Sequence, residues 1–549
     1  MIRLFMLEKI KLFLRNPTPL DKQQSERAKN HRRIQDIEKY IKSIEPAMQP
    51  SRTGEVKRPI LFFITSTNTE NLGLASAVDL LTAWSLRAAG HSVRYYACQQ
   101  TLALCVHGTQ RDGKTVAPPP CDSCTQLRHQ VYAPHLTTGI ASRPDIMATV
   151  RKELAPYSWE QLQTYAYRGL PLGQICMSSL RWIERGYDLD ANHFRRHTLT
   201  EYIASAAALA AALEEELQTL NPSTMVIFNG SFYPEATARL VALSKGIKVV
   251  THEGGHGSVS AFFSHGLATD YHIDIPTEFQ MTPEMEHQLD RYLENRFSGI
   301  FKMAGRPIWP EMNELPADLK EKIRNHRQCV TVFTNVIWDT SQLSANIYFE
   351  NMFEWLDETL KMAQLNPDTL FIVRAHPDEL RPGKPTNQTV EKFFRSRGYD
   401  NISNVYFIAP RNFVSSYELV GVSKFCIVYN STIGMEIAML GKRVIPGGRP
   451  RYFNAGLYPK IESKNDYLEQ LKALLDAPTI ECDPQWIRNA RRYFYFSIFK
   501  ASLDFSPFLT NELYFKDFDI DELVVRAHSS LGTIVNGITK GTDFFAPDR

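Results

Sequence analysis

The sequence has no long apolar run, and its formal charges nearly cancel. No segment approaches the ~20 apolar residues that a membrane-spanning helix needs, so the sequence predicts no such helix. The start of the chain is not typical of a secretory signal, because Glu8, Lys9 and Lys11 interrupt its apolar stretch. The net charge of +2 gives no indication of a nucleic-acid partner. We therefore predict a cytoplasmic protein that does not bind nucleic acid.

Internal repeats and paired acidic motifs are also missing. No repeat of solenoid period occurs. The Asp-x-Asp patterns at 517–519 and 519–521 lie in the C-terminal tail, away from any convincing strand end. We therefore expect no catalytic metal. With 43% hydrophobic and 22% charged residues, the 549-residue chain is globular in composition and long enough for two or more domains.

Short apolar segments alternate with helical patterns from residue 59 onward. A strand at 59–66, a helix at 74–89 and a strand at 93–97 give the opening of a doubly wound domain. A second series begins with a strand at 329–335. The pattern predicts an α/β fold of two Rossmann-like, doubly wound domains that face each other across a cleft.

Five segments follow from this pattern. They are a basic, helical N-terminal arm (1–55), an N-terminal Rossmann-like domain with a cysteine cluster and a helical insert (56–285), a linker (286–327), a C-terminal Rossmann-like domain (328–485) and a tail that packs back on the N-terminal domain (486–549). Residues 1–15 alternate apolar and basic side chains, which indicates either a helix on a membrane surface or one docked on the folded body. The first alternative makes the protein peripheral at the inner membrane.

Polar side chains follow the predicted strands of the second domain. Arg374, His376 and Pro377 come after the apolar run 370–373, and a Gly-Gly turn follows the run at 443–445. The run 425–428 leads into a predicted helix start with Asn430, Ser431, Thr432, Gly434 and Glu436. Ligands of open α/β sheets bind at the carboxyl ends of the strands, and a helix N-terminus suits a phosphate. The alternative is a capped helix after a core strand.

In the first domain, polar side chains and glycines follow two of the predicted strands. The strand at 225–228 ends in Asn229 and Gly230, and the strand at 247–250 is followed by His252, Glu253 and two glycines, Gly254 and Gly255. A carboxylate beside imidazoles in a glycine-rich turn is a plausible acid/base centre. The alternative is a tight turn that carries polar side chains without a catalytic role.

Half of the eight cysteines fall in one stretch, at Cys98, Cys105, Cys121 and Cys124. The Cys121-x2-Cys124 spacing is typical of a zinc knuckle, although the first pair is more widely spaced. Disulfides are rare in cytosolic proteins, so the hypotheses are a structural zinc site and a set of buried free thiols.

These motifs resemble those of bacterial capsular polysaccharide biosynthesis glycosyltransferases over residues 59–475. The resemblance rests on Phe228-Asn229-Gly230, Glu253-Gly254-Gly255, Arg374-Ala375-His376-Pro377 and Ser431–Glu436 with Gly441-Lys442. His376-Pro377, Ser431-Thr432 and Glu253-Gly254 also look like the His-Pro, Ser-Ser/Ser-Thr and acidic-Gly motifs of bacterial sialyltransferases. In those enzymes the first two motifs hold the nucleotide of a CMP-sugar, and the third supplies the base.

The resemblance implies a GT-B enzyme that moves a sugar from a nucleotide-sugar donor, with a CMP-sugar as one option, to a glycan or lipid-linked acceptor. The first domain becomes the acceptor side and the second the nucleotide side. The acidic-Gly motif usually has two acidic residues, and here the first is His252, so the base is either Glu253 or His252. The alternatives are a sugar-nucleotide epimerase or hydrolase on the same fold, and a non-catalytic glycan-binding or scaffold protein.

Overall fold

The structure is a computed structural model, and it contains two α/β units, each built on one sheet with helices on both faces. It describes residues 19–44, 58–65, 72–106, 109, 118–257, 259–270, 273–297, 302–303, 306–307, 313–339, 342–381, 385–523 and 529–547. The membrane-surface hypothesis for residues 1–15 concerns a segment outside the described residues.

The first unit begins with a charged helix and alternates strands with helices. Its elements are α1 (Pro19–Ile44), β1 (Ile60–Ile64), α2 (Leu74–Ala88), β2 (Val93–Ala97), α3 (Cys121–Val131), β3 (Thr137–Gly139), α4 (Pro144–Leu154), α5 (Trp159–Gln163), α6 (Leu172–Glu184), α7 (His193–Leu220), β4 (Thr224–Phe228), α8 (Glu235–Ser244), β5 (Lys248–Gly254) and β6 (Ser260–Ser264).

Strand β1 divides the core of this unit into two layers. Ile60, Phe62 and Ile64 pack on the side of α2, whereas Leu61 and Phe63 pack on the side of α7. The alternation follows from the two-residue period of a strand. Both faces are apolar because helices cover both, as parallel sheets require.

The second unit follows a connecting segment with two helices and a short hairpin. These elements are α9 (Pro283–Phe297), β7 (Lys302–Met303), β8 (Arg306–Pro307) and α10 (Ala317–Asn325), followed by β9 (Gln328–Phe333), α11 (Gln342–Ala345), α12 (Met352–Leu365), β10 (Thr369–Arg374), α13 (Val390–Ser396), β11 (Val405–Ile408), α14 (Ser416–Val422), β12 (Cys426–Val428), α15 (Ile433–Met439), β13 (Val444–Pro446) and α16 (Lys464–Asp476). The chain ends with α17 (Pro484–Tyr495), β14 (Leu503–Asp504), α18 (Ile520–Leu523) and α19 (Ser530–Lys540).

The strand orders place both sheets in the doubly wound class. The first sheet has the order β14-β6-β5-β4-β1-β2-β3, in which β1 to β5 run parallel, β6 pairs antiparallel with β5, and β14 pairs antiparallel with β6. The second sheet is wholly parallel, in the order β11-β10-β9-β12-β13. The predicted fold class of two Rossmann-like domains is confirmed.

The segments outside the two sheets also have defined positions. Helix α1 docks on the body, where Tyr40 stacks on Phe518 with ring centroids 4.6 Å apart. Strand β14 pairs with β6 and α19 packs on α2, whereas α17 packs on α15 of the second unit. Within the described residues, every helix is too short or too polar to cross a bilayer.

Candidate active site between the two sheets

The carboxyl ends of the two sheets face one another. Asp339 follows β9 in the second unit, and its charge adds to the effect of burial in raising the pKa of Glu253 at the end of β5 in the first. The same charge acts on His376, which follows β10. One carboxylate therefore lies close to predicted site residues of both units, which brings the two groups together across a single cleft.

Glu253 is held by the end of the neighbouring strand. Asn229 Nδ2 donates to Glu253 Oε2 over 2.7 Å, and the backbone N–H of Gly254 donates to Oε1 over 3.0 Å. Burial raises the pKa of this carboxyl, and the two donors lower it in part. Asn229 adopts the left-handed conformation at φ 61°, which directs its amide toward the carboxylate. The carboxyl is thus oriented and shifted toward the range of a general base.

His252 lies on the other face of β5 and is buried. Its Nε2 is 2.8 Å from Asp79 Oδ1 of α2, and both side chains are at most 2% exposed. The ring stacks on Phe263 with centroids 5.2 Å apart. In this arrangement the imidazole has no access to an acceptor hydroxyl, so the geometry disfavours His252 as the base.

The glycines near Glu253 differ in what surrounds them. A Cβ on Gly254 would meet nothing within 4 Å, so open space remains beside the carboxylate. A Cβ on Gly255 would lie 2.5 Å from Ser260 Oγ, and Gly230 has φ 79° with Thr251 close by. Only Gly254 therefore has the room predicted for an approaching substrate, whereas the other two serve turns of the backbone.

His376 begins a short 3₁₀ helix, Pro377–Leu380, and its ring is fixed by the backbone. The N–H of Asp378 donates to His376 Nδ1 over 3.1 Å, so the neutral ring carries its proton on Nε2. Burial lowers the pKa of His376. The ring is therefore a neutral Nε2–H donor at pH 7.

Arg374 is placed differently from the phosphate-binding role that the sequence predicts. Its guanidinium is buried and Nη1 donates to the carbonyls of Ala375 and Ala409, over 3.2 and 3.1 Å. Burial lowers its pKa to about 10. These contacts make Arg374 a support of the strand end rather than a ligand of the cleft.

The residues after β12 lie in the same region of the second unit. Asn430 is buried and its Oδ1 accepts from Gln342 Nε2 over 3.1 Å, whereas Ser431 and Thr432 are half-buried. Thr432 is the N-cap of α15 but makes no side-chain capping bond. The two hydroxyls are thus placed at the predicted strand end and are partly accessible to a ligand.

Gly434 allows a close contact, although the partner is a side chain of the protein. A Cβ at this position would lie 1.8 Å from Tyr452 Oη, and that hydroxyl donates to the Ser431 carbonyl over 2.8 Å. Gly434 is therefore needed so that Tyr452 can fix the Ser431 turn.

Glu436 is engaged in an ion pair rather than open to a ribose. Its Oε1 accepts from Arg296 Nη2 of α9 over 2.8 Å, and its other oxygen accepts from Tyr417. The carboxylate is 3% exposed. The predicted ribose contact does not fit this geometry, and the pair instead ties α15 to the connecting segment.

Two arginines at the cleft, Arg451 and Arg296, were not singled out from the sequence. His256, three residues after Glu253, accepts from Arg451 Nη1 of the second unit over 3.5 Å. Burial, Arg451 and Arg296 together lower the pKa of His256 to about 3. The glycine-rich turn was visible in the sequence, but the arginines come from other elements, so only the fold brings them together.

The four clustered cysteines line one small cavity of the first unit, of about 30 Å³, beside Thr65 at the end of β1. All four are reduced. Within the described residues, no three His, Cys, Asp or Glu side chains already stand in an arrangement that could hold a metal ion. The zinc hypothesis therefore requires the thiols to rotate into the cavity.

Comparison with known proteins gives distant similarities. No family model matches the chain. Protein FixF of Sinorhizobium fredii is 26% identical over 257 residues, which are 45% of this chain and 54% of FixF. The chain thus spans about half the length of this curated relative.

Solved structures with a similar arrangement have low identity. The Thermosulfurimonas dismutans KpsC beta Kdo 2,4 transferase is 15% identical, with a TM-score of 0.35 over 55% of this chain and 87% of that chain. The UDP-GlcNAc 2-epimerase of Neisseria meningitidis, bound to UDP-GlcNAc, is 13% identical, with a TM-score of 0.27 over 79% of this chain and 98% of that chain. The Staphylococcus aureus MnaA–UDP co-structure is 10% identical, with a TM-score of 0.27 over 79% of this chain and 91% of that chain.

Proposed function

We propose that this protein is a GT-B glycosyltransferase that moves a sugar from a nucleotide-sugar donor to a hydroxyl of a glycan or lipid-linked acceptor. The observation that carries the proposal is the position of Glu253, an oriented carboxyl on one sheet that faces His376 and Asp339 of the other. A cleft with a base on one wall and nucleotide-compatible groups on the other suits group transfer between two substrates.

Glu253 is the proposed base. The acceptor hydroxyl loses its proton to Glu253 as its oxygen attacks the anomeric carbon of the donor, and the bond from that carbon to the nucleotide phosphate breaks. Asn229 and the Gly254 N–H hold the carboxylate, and the open space at Gly254 gives the acceptor room. The raised pKa makes Glu253 a stronger base than an exposed carboxylate.

The second unit is the proposed donor side. The departing nucleotide phosphate gains negative charge, and a hydrogen-bond donor fixed near that charge lowers the barrier to transfer. The proposed hydrogen-bond donors to this phosphate are His376 Nε2–H, the hydroxyls of Ser431 and Thr432, and Arg451. No step in this scheme requires a metal, and a CMP-sugar is one option for the donor, as the motif resemblance implies.

Nucleotide binding is the first test. Melting temperatures are measured with CMP, UDP, GDP and dTDP, because a ligand that binds only the folded state raises the midpoint. We expect a shift with one nucleotide that is lost in His376→Ala. The control is His326→Ala, because His326 lies in the connecting segment, where its ring bonds to the Lys322 carbonyl at the end of α10.

The products decide the reaction class. The substrate in this assay is the nucleotide sugar that contains the bound nucleotide. A transferase consumes it only when an acceptor is present, whereas an epimerase or hydrolase changes it without an acceptor. No shift with any nucleotide would contradict the proposal and favour a glycan-binding or scaffold role. A changed donor in the absence of acceptor would replace the transferase with the epimerase or hydrolase.

A further inference from the structure

A small cavity lies between the two units, next to the groups proposed for transfer. Helix α6 of the first unit contributes Ser178 and Arg181 to its walls, and the segment after β9 of the second unit contributes Trp338, Asp339 and Gln342. The cavity has a volume of about 20 Å³, and a water-sized group needs about 10–15 Å³. It therefore has room for one hydroxyl group, but not for a sugar ring.

Gln342 lines this cavity and has one polar atom without a partner. The residue is 2% exposed, and its Nε2 donates to Asn430 Oδ1 over 3.1 Å. Its Oε1 finds no hydrogen-bond donor among the described residues. A buried carbonyl without a donor is unfavourable, and such atoms in folded proteins are usually paired. A hydroxyl of a bound molecule would supply the missing donor.

The cavity lies between the proposed base and the proposed phosphate-binding groups. Phe232, another wall residue, belongs to the turn after β4 that holds the Glu253 carboxylate. On the other side, Gln342 bonds to Asn430, the residue before Ser431. In the proposed reaction the anomeric carbon lies between the acceptor hydroxyl at Glu253 and the departing phosphate at Ser431. The transferred sugar is therefore the part of the substrates that lies nearest the cavity.

The side chains that form the walls are held by bonds of their own. Trp338 Nε1 donates to Thr386 Oγ1 over 2.9 Å, and Arg181 Nε donates to the Tyr187 carbonyl over 2.9 Å. The Arg181 guanidinium also lies over the Tyr187 ring, 4.1 Å from its centroid. Because these walls are already fixed, little ordering is needed when a hydroxyl enters.

We propose that Gln342 is a specificity-determining residue for the transferred sugar, and that its Oε1 accepts a hydrogen bond from one sugar hydroxyl that enters the cavity. This inference rests on the proposed function. The bond from Nε2 to Asn430 fixes the amide, so the cavity presents an acceptor. A sugar without a hydroxyl at that position leaves the Gln342 carbonyl unpaired and binds more weakly.

Dissociation constants of the full chain separate the sugar from the nucleotide. Calorimetry compares CMP, UDP, GDP and dTDP with CMP-N-acetylneuraminate, UDP-glucose, GDP-mannose and dTDP-glucose. In Gln342→Met, the sugar form that the wild type binds should bind about 10-fold more weakly, whereas the nucleotide alone keeps its affinity. Gln328→Met is the matched control, because this glutamine lies at the opposite end of β9 and donates to Thr369 Oγ1 and the Leu475 carbonyl.

Ser178→Val narrows the cavity from the first unit and leaves Gln342 and Asn430 in place. Ser178 is half-buried, and its Oγ donates to the Gln174 carbonyl within α6. The variant should weaken binding of the sugar form about 10-fold as well, with unchanged affinity for the nucleotide. It decides the matter if Gln342→Met fails to fold or disturbs Asn430. If only water occupies the cavity, Ser178→Val binds the sugar form as the wild type does.

The outcomes distinguish this inference from the proposed function. Wild-type affinity for the sugar form in either folded variant overturns the inference and leaves the proposed function standing. An equal loss for nucleotide and sugar form in Ser178→Val does the same, and so does a wild type that binds a nucleotide but none of the sugar forms. A wild type that binds no nucleotide overturns both.

Discussion

His252 and Glu253 are neighbours on β5, yet their side chains lie on opposite faces of the sheet. The two-residue period of the strand sends one toward Asp79 in the core and the other toward the cleft. The sequence left the base open between them. At this scale the geometry separates a residue packed in the core from one that faces the cleft.

Glu253→Gln should lower transfer about 10²–10⁴-fold, the typical contribution of a positioned acid or base, while the protein stays folded. Because burial raises the pKa of Glu253, the ionised form costs stability, and the glutamine variant should melt at the same or a higher temperature at neutral pH. Rates with a soluble acceptor and thermal unfolding measure the two effects. Full activity in the variant would remove Glu253 as the base.

His252→Ala should give the opposite result. The variant leaves the buried Asp79 carboxyl without the ring that hydrogen-bonds to it over 2.8 Å. Loss of one partner of a buried hydrogen bond costs about 1–3 kcal/mol, so the melting temperature should fall while the folded fraction keeps transfer activity. A stable but inactive His252→Ala protein would instead make this imidazole part of the chemistry.

Glu379 is a second buried carboxyl, three residues after His376. Its Oε1 accepts from the Val390 N–H over 2.9 Å, and burial raises its pKa to about 8 from 4.5. The folded protein binds this proton more tightly than the unfolded chain, so the wild type loses stability as pH rises between these values. Glu379→Gln should therefore be more stabilising at pH 8 than at pH 5. If the melting temperatures of the variant and the wild type differ by the same amount at pH 5 and at pH 8, the raised pKa of Glu379 is contradicted.

At the scale of elements, the turn after β12 depends on packing between segments. Gly434→Ala places a methyl group against Tyr452, and overpacking of this kind costs about 1–3 kcal/mol. The Tyr452 bond to the Ser431 carbonyl should also be lost, which weakens nucleotide binding. Tyr452→Phe in the same protein removes the closest clashing atom and should recover part of the stability, as a double-mutant cycle measures. Additive effects would show that the two positions are not coupled.

Strands and helices of the two sheets were largely predictable because their core faces are apolar and their ends are marked by turns. The strand at Val93–Ala97 was predicted with the observed bounds, and the helix predicted at 74–89 is observed at Leu74–Ala88. Strands β6 and β14 were not predicted, because their antiparallel pairing at the sheet edge depends on contacts between distant segments.

At the scale of the whole molecule, a few contacts set how the two units meet. Arg185, at the end of α6, lies between the rings of Trp182 and Trp338, with its guanidinium 4.2 and 4.1 Å from their centroids. The Asn387 N–H of the second unit donates to the Arg185 carbonyl over 2.9 Å. The cation–π contact with Trp338 thus joins the first unit to the loop after β9.

Arg185→Ala should loosen this junction, because a desolvated cation–π contact contributes about 2 kcal/mol or more. We expect a larger radius of gyration by small-angle X-ray scattering without nucleotide, and weaker nucleotide binding. Arg168→Ala is the control, since Arg168 stacks on Tyr167 within the first unit. Identical scattering of the Arg185 variant and the wild type would exclude this role.

The composition of the candidate site was predictable only in part, because some of its residues come from segments that only the fold brings together. Glu253, His376 and Ser431 follow strands, so strand ends in the sequence point to them. Arg296 and Arg451 come from a connecting helix and a loop, and no local pattern marks them. Arg374 and Glu436 have the right type and spacing, but the fold directs them to a carbonyl cluster and to an ion pair.

The contact between His256 and Arg451 has a consequence for the proton balance of domain movement. While the units are together, burial and the charges of Arg451 and Arg296 lower the pKa of His256 to about 3, so a movement that exposes the ring and takes Arg451 away would let this pKa rise toward 6.5. The open form then binds a proton that the closed form releases, so acidity favours opening. Calorimetric heats of nucleotide binding near pH 5 should therefore differ between buffers of different ionisation enthalpy, and equal heats would mean that closure leaves this ring unchanged.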